Sequence, residues 1–85
     1  MQEKGKPMLV LVPNPVSTDA VLYISKETNA RTVNIYNAAG ALVRKVAIAA
    51  GVQQLQISTV ELAAGVYTIE TEGSGRFVTR MIVQH

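Results

Sequence analysis

The chain has 85 residues, which is the length of a single domain. A domain of this size hides roughly 60–65% of its unfolded surface on folding, so it builds one thin core and has little material for a deep catalytic cleft. Cysteine is absent, which excludes disulfides and thiolate metal sites. The net charge is +2, and the eight basic residues are scattered along the chain. Nucleic-acid binders gather basic residues on one face, so nucleic-acid binding is not expected.

Seven short segments, apolar or alternating, are separated by turn residues. They are MLVLV (8–12), AVLYIS (20–25), TVNIYN (32–37), ALVRKVAIA (41–49), VQQLQIS (52–58), VYTIETE (66–72) and RFVTRMIV (76–83). Strands of this length, with turns at about 8–12-residue spacing and no long helix, are typical of an antiparallel sandwich. The sequence therefore predicts an all-β fold, a seven-stranded antiparallel immunoglobulin-like β-sandwich over residues 8–85. Residues 1–7 are interpreted as a linker or cloning remnant.

No targeting or membrane-spanning pattern stands out in the sequence. No apolar run approaches the ~20 residues that a spanning helix needs. The polar start, MQEKGKP, has no apolar segment of the kind found in signal peptides. Two hypotheses remain open on these grounds, a cytoplasmic domain or a fragment of a longer exported protein.

Two connections have a distinctive local chemistry. In LVPNPVST (11–18), both prolines lack a backbone donor, and the residues before them are pushed into extended conformations. The first strand is therefore expected to stop there, cross over in an extended kink and restart near Ala20. The segment TVELAAG (59–65) is too short for a stable helix. We expect one helical turn or a crossing loop there, with Leu62 under the sandwich.

A search for catalytic or metal-binding groups finds little. Glu70 and Glu72 lie two apart on one predicted strand and share a face with Thr68, which indicates the wet face of a half-buried strand rather than a carboxylate pair. His85 is the one histidine, and an imidazole at the end of the chain is expected to be frayed and solvated. The prediction is that the domain is not an enzyme and uses no metal and no cofactor.

Several motifs in a fixed order resemble a known family. PNP follows a short apolar strand, VNIYNAAGALV and LQISTVELAAGVYTIETEGSG come next, and an apolar-basic strand closes the chain. Together they resemble the type A C-terminal sorting domain of the type IX secretion system of Bacteroidetes-type bacteria. The likeness runs from about Leu9 to Gln84.

Individual positions carry this resemblance. The matching residues are Pro13, Asn14 and Pro15 in the opening motif, Val33, Ile35, Tyr36 and Gly40 in a hairpin motif, Leu62, Gly65 and Tyr67 in L-x-x-G-x-Y, and Arg80, Ile82 and Val83 in the last strand. These motifs are expected to have mainly structural roles. We expect Gly65 to let the chain turn into the strand of Tyr67, whose ring is buried and whose hydroxyl reaches a loop carbonyl.

The resemblance also implies how the domain is recognised. The candidate residues for recognition by the translocon are those at the end of the chain, Arg80, Met81, Ile82, Val83 and Gln84. Members of the family often have lysines in this strand, where this chain has Met81 and Gln84. Arg80 and the strand backbone therefore remain as the features to be read.

A function, partners and a location follow from the same resemblance. Such a domain directs a covalently linked N-terminal cargo protein from the periplasm through an outer-membrane translocon to the cell surface or the medium. A sortase-like peptidase often removes the domain at the surface. Two alternatives stay open, a non-catalytic carbohydrate- or protein-binding module of a secreted enzyme and a stand-alone periplasmic structural domain. Self-association through edge strands is a further expectation, because the last strand is apolar.

Overall fold

The computed structural model of the protein describes residues 8–85, so the predicted linker at residues 1–7 lies outside the described residues. Seven strands follow one another along the chain. They are β1 (Leu9–Val12), β2 (Asp19–Ile24), β3 (Thr32–Tyr36), β4 (Leu42–Ala47), β5 (Gln54–Ser58), β6 (Gly65–Glu72) and β7 (Arg76–Val83). Each strand lies within a segment that the sequence predicts, apart from shifts of one residue at the ends of β2 and β6. The predicted seven-stranded all-β fold is confirmed.

The strands form two antiparallel sheets. One sheet has the order β1-β2-β5 and the other has the order β4-β3-β6-β7. The hairpin of β6 and β7 is the longest pairing, and its register runs from Gly65 opposite Val83 to Glu72 opposite Arg76. This pairing therefore places the end of β7 beside the start of β6.

Alternation of side chains along the strands builds the core. In β6, Tyr67, Ile69 and Thr71 point between the sheets and are buried, whereas their neighbours Val66 and Thr68 are exposed. The same period of two buries the inward residues of the other strands. The completely buried apolar side chains come from both sheets and include Val16, Leu22, Val33, Ile35, Ile69 and Met81.

The proline-rich segment after β1 takes the chain from the three-stranded sheet to the four-stranded sheet. β1 pairs with β2 in the three-stranded sheet. The peptide bonds before Pro13 and Pro15 are both cis. Beyond them, Val16 forms a parallel bridge with Val83 of β7 in the four-stranded sheet. The expected crossing is therefore confirmed, and the crossing segment itself pairs with the last strand.

Two connections between strands have a defined local structure. The connection from β2 to β3 contains a single 3-10 turn, Lys26–Thr28. The segment 59–64 forms turns and bends without a helix, so the crossing-loop alternative is correct. Leu62 packs against the core there, as expected. In the described part of the chain, no helix has the length and hydrophobicity required to cross a bilayer.

Candidate recognition site at the motif corner

Motifs that are far apart in sequence meet at one end of the sandwich. We call this region the motif corner and define it as residues 13–18, 59–67 and 80–85. The antiparallel register of β6 and β7 brings the last two segments together. The first segment reaches them because the proline-rich segment crosses from one sheet to the other and pairs with β7. The hairpin loop after β3 also lies beside the corner, since residues 37–39 line one shallow hollow together with residues 63–67.

The PNPV segment covers the outer edge of β7 near its end. The side-chain amide of Asn14 donates from Nδ2 to the carbonyl oxygen of Arg80 at 2.8 Å, and its Oδ1 accepts from the amide of Ile82 at 2.9 Å. The amide of Val16 donates to the carbonyl oxygen of Ile82 at 2.8 Å, and its carbonyl oxygen accepts from the amide of Gln84 at 2.9 Å. One asparagine side chain and one backbone residue thus replace a neighbouring strand.

The segment 59–65 is tied to the same corner by side chains and backbone. Thr59 donates to the carbonyl oxygen of Thr18 twice, from its amide at 2.7 Å and from its hydroxyl at 2.9 Å. The Tyr67 hydroxyl donates to the carbonyl oxygen of Ala63 at 2.6 Å, and its ring is buried, as the resemblance implies. This arrangement is the tyrosine corner of immunoglobulin-like sandwiches, in which a tyrosine near the start of the sixth strand bonds to backbone a few residues upstream.

Glycines permit the sharp turns beside the corner. Gly65 has φ 155 where the crossing loop enters β6, and Gly40 has φ 84 in the hairpin between β3 and β4. Both values lie in a region that residues with a Cβ rarely adopt. The expected role of Gly65 in the turn toward Tyr67 is confirmed.

His85 is held by the corner, which contradicts the expectation of a frayed imidazole. Its Nδ1 lies 3.0 Å from the carbonyl oxygen of Ser17, and its Nε2 lies 2.6 Å from the carbonyl oxygen of Leu62. The ring therefore bridges the proline segment and the crossing loop. A pattern search could not find this contact, because both partners are backbone carbonyls that carry no sequence signature.

The five candidate recognition residues fall into two groups, because side chains along β7 point alternately into the core and toward solvent. Met81 and Val83 are 0% and 2% exposed and belong to the core. Arg80 and Gln84 are exposed and Ile82 is half-buried. A partner that meets the folded domain can therefore contact Arg80, Ile82 and Gln84, whereas Met81 and Val83 are within reach only if the strand leaves the sandwich.

Glu70 lies on the outer face of the sheet together with Thr68 and Glu72, which are exposed as predicted. Glu70 itself is only 7% exposed, so the prediction that it is solvated is wrong. Asn34 Nδ2 and the Tyr36 hydroxyl donate to Glu70 Oε1 at 3.1 and 2.9 Å.

An ion pair and a second carboxylate complete this network. Arg76 Nε lies 2.9 Å from Glu70 Oε2. Asn34 Nδ2 also lies 3.1 Å from Glu72 Oε1. The hydrogen bond to Glu70, with burial and the charge of the two carboxylates, raises the pKa of Tyr36, and the nearby Arg76 guanidinium opposes this shift. The network holds three adjacent strands together and lies on the outer face of the four-stranded sheet.

The tyrosines are distributed over different surfaces. Tyr23 is exposed on the outer face of the three-stranded sheet, Tyr36 belongs to the network around Glu70, and Tyr67 is buried. The described residues contain no cluster of histidine, cysteine, aspartate or glutamate side chains that could hold a metal ion.

A comparison with family models finds a match over most of the chain. The chain matches the family model described as the secretion system C-terminal sorting domain over residues 10–84. No curated protein and no solved structure matches the chain significantly. The matched range contains every strand after the first residue of β1 and all of the converging motifs except the last residue of the corner. The chain belongs to the family of secretion system C-terminal sorting domains, and it is a type IX secretion signal that targets a cargo protein for export.

Proposed function

We propose that the secretion machinery reads this domain in its folded form, at the outward side chains of the last residues of β7. The observation that carries the proposal is the alternation along this strand. Arg80 and Gln84, which directly follows β7, are exposed and Ile82 is half-buried, whereas Met81 and Val83 fill the core. A readout of all five residues would require the strand to detach and expose two apolar side chains to water.

The hydrogen bonds of the corner favour recognition of β7 through its side chains rather than through its backbone groups. The amide of Ile82 already donates to Asn14, its carbonyl oxygen accepts from Val16, and the carbonyl oxygen of Arg80 accepts from Asn14. A new strand could not pair with this part of β7 without displacing the proline segment. Arg80 supplies a cation there, since its guanidinium has no partner among the described residues.

The partners in this proposal are those of the family. An outer-membrane translocon receives the domain from the periplasm with its N-terminal cargo, and a sortase-like peptidase removes it at the cell surface. The domain acts as an address and performs no chemistry itself. This role is consistent with a surface whose hollows are shallow, and with Glu70, the one buried carboxylate in the described part of the chain, being already paired.

Export of a reporter fusion tests the proposal. The domain is fused to the C-terminus of a periplasmic reporter in a host with the secretion system, and surface and medium fractions are assayed. Arg80→Gln and Gln84→Ala are expected to reduce export without unfolding the domain, because both side chains are exposed. Arg31→Gln is the matched control, since Arg31 is an exposed arginine beside Glu72, at the opposite end of β6. Unchanged export in both test variants would refute the assignment of the surface.

A further inference from the structure

The edges of the two sheets are not equally closed. Backbone groups alternate between the two sides of a strand. The bonds of Ile82 to Asn14 and Val16 therefore show that the even-numbered residues of β7 direct their backbone groups away from β6. By this alternation, both backbone groups of Val78 and the amide of Arg80 also point outward, and no hydrogen bond joins them to a described residue.

Each of the other three edge strands has a feature that limits pairing with a further strand. β1 has four residues and ends at Pro13, which has no amide to donate. β4 has a bulge opposite Ile35 and Tyr36. In β5, the carbonyl oxygen of Ser58 accepts from Arg44 Nη1 at 2.6 Å. Short strands, bulges and covering side chains are the usual ways of closing an edge. In β7, the stretch Arg76–Arg80 is covered only at the carbonyl oxygen of Arg80, by Asn14.

The side chains beside this open stretch form a surface with a definite chemistry. Val78 is 60% exposed, and it lies between Arg76 and Arg80 on the outer face of the sheet. Thr68, Val78, Thr79 and Arg80 line a shallow hollow. Along the strand the surface thus presents Arg76, which is already paired with Glu70, then Val78, and then Arg80, whose guanidinium has no partner among the described residues. It is complementary to an extended segment that has an apolar residue beside Val78 and a carboxylate two residues away, beside Arg80.

We infer that the open stretch Arg76–Arg80 is a strand-addition surface for an extended acidic-apolar segment of a partner chain. The partner backbone pairs with Val78 and with the amide of Arg80, and a carboxylate of the partner approaches the guanidinium group of Arg80. The added strand ends where Asn14 begins to cover β7. Addition of a strand to an exposed sheet edge is a common mode of peptide recognition.

The charges argue against a second copy of the same strand as the occupant. Antiparallel pairing of two β7 strands about Val78 would place Arg76 of one copy beside Arg80 of the other. Like charges directly opposite one another are destabilising. Arg80, whose guanidinium has no partner among the described residues, attracts a carboxylate instead, so this surface favours an acidic segment of a different chain. The inference rests on the proposed function only in taking the partner to be part of the secretion machinery.

A peptide with the complementary pattern tests the inference on the isolated chain. The probe is acetyl-Glu-Thr-Val-Thr-Glu-amide, and its binding is followed by amide chemical shifts in nuclear magnetic resonance spectra. We expect shifts at Val78 and Arg80 and slower hydrogen exchange of their amides. Two control peptides have lysine in place of glutamate or an N-methyl group on the central valine. The inference is overturned if the acidic probe leaves these amides unshifted, or if the N-methylated probe binds equally well.

A pair of variants separates the backbone of Val78 from its side chain. Val78→Pro removes the outward amide and is compatible with an edge position, because no ladder bond is lost. We expect it to weaken probe binding about five- to tenfold, since a hydrogen bond is lost. Val78→Ala keeps the amide and should retain the slowed hydrogen exchange at Arg80. A thermal melt of each variant establishes that it is folded. Equal binding by Val78→Pro and the wild type would overturn strand addition. The proposed function fails independently, if the Arg80→Gln and Gln84→Ala fusions are exported as well as the wild type.

Discussion

The side chain of Asn14 bonds to the backbone of Arg80 and of Ile82, 66 and 68 residues further along the chain. A primary amide has a donor and an acceptor, as a peptide group has, so it can satisfy two backbone groups of a strand edge at once. A carboxylate does not reproduce this pair, because its ionised form only accepts hydrogen bonds. The asparagine between the two prolines therefore has a structural task that its neighbours cannot perform.

Replacing Asn14 by alanine is expected to loosen the end of β7. Two hydrogen bonds are lost, and each contributes about 0.5–1.5 kcal/mol net, so we expect the free energy of unfolding to fall by about 1–2 kcal/mol at this exposed site. Hydrogen exchange at the amide of Ile82 should become faster. Asn14→Asp is the matched control, because it keeps the acceptor for Ile82 and loses the donor to Arg80. Exchange at Ile82 that is as fast in Asn14→Asp as in Asn14→Ala would contradict this account.

The hydroxyl of Tyr67 is expected to stabilise the crossing loop. Tyr67→Phe keeps the buried ring and removes the bond to the carbonyl oxygen of Ala63. The expected loss is about 0.5–1.5 kcal/mol in the free energy of unfolding, measured by denaturant titration. Tyr23→Phe is the control, because Tyr23 lies exposed on the other sheet, where such a change is usually within about 0.5 kcal/mol. Equal effects of the two substitutions would show that the bond to Ala63 contributes nothing.

The strands were predictable because their signals are local. The alternation of apolar and polar residues in TVNIY and GVYTIETE fixes both the strand and the face it buries, and it does so without knowledge of any partner strand. The prolines of LVPNPVST likewise end β1 by their own chemistry. The hydroxyl of Tyr67 could be assigned to a loop carbonyl because a buried phenol requires an acceptor.

The contacts that depend on the register of distant strands were not predictable in the same way. Glu70 is buried because Asn34 and Tyr36, which belong to β3, are placed beside it by the pairing of β3 with β6. Val16 is buried completely, although it follows two prolines in a loop, because the crossing of the chain between the sheets places it beside Val83 of β7. A single apolar residue directly after PNP is the one signal in the sequence that could have indicated this burial.

The turn between β6 and β7 is expected to tolerate no side chain at Gly73. The backbone approaches the carbonyl oxygen of Asn29 so closely that an added Cβ would collide with it. Gly73→Ala should therefore push the hairpin away from the 3-10 turn and lower the free energy of unfolding by about 1–3 kcal/mol, as overpacking does. Ser74→Ala is the matched control, because Ser74 bonds to Thr28 through its backbone amide, which alanine retains. A Gly73→Ala protein as stable as Ser74→Ala in a thermal melt would refute the close approach.

The bridge made by His85 is expected to link the two loops of the motif corner. His85→Ala removes the contacts to the carbonyl oxygens of Ser17 and Leu62. Because the site is exposed, we expect a decrease of at most about 1 kcal/mol in the free energy of unfolding, accompanied by faster hydrogen exchange in both loops. Gln84→Ala serves as the control, since its amide keeps the bond to Val16. Exchange rates in the loops that do not change in His85→Ala would rule out the bridge.

The bond between Tyr36 and Glu70 predicts a loss of stability at alkaline pH. The pKa of Tyr36 is raised in the folded protein, mainly because its hydroxyl donates to the Glu70 carboxylate. The protonated phenol is therefore favoured by folding, and its contribution is fully present below the ordinary tyrosine value of about 10. As the pH rises through the folded-state pKa, the contribution disappears. The free-energy difference between the wild type and Tyr36→Phe should accordingly be positive at neutral pH and shrink above about pH 10. Denaturant titrations of both proteins across this range measure the difference. The matched variant Glu70→Gln keeps an acceptor and removes the charge, so the tyrosinate absorbance of Tyr36 should appear at lower pH there. A difference between wild type and Tyr36→Phe that stays constant from neutral to strongly alkaline pH would show that the hydroxyl does not depend on the carboxylate.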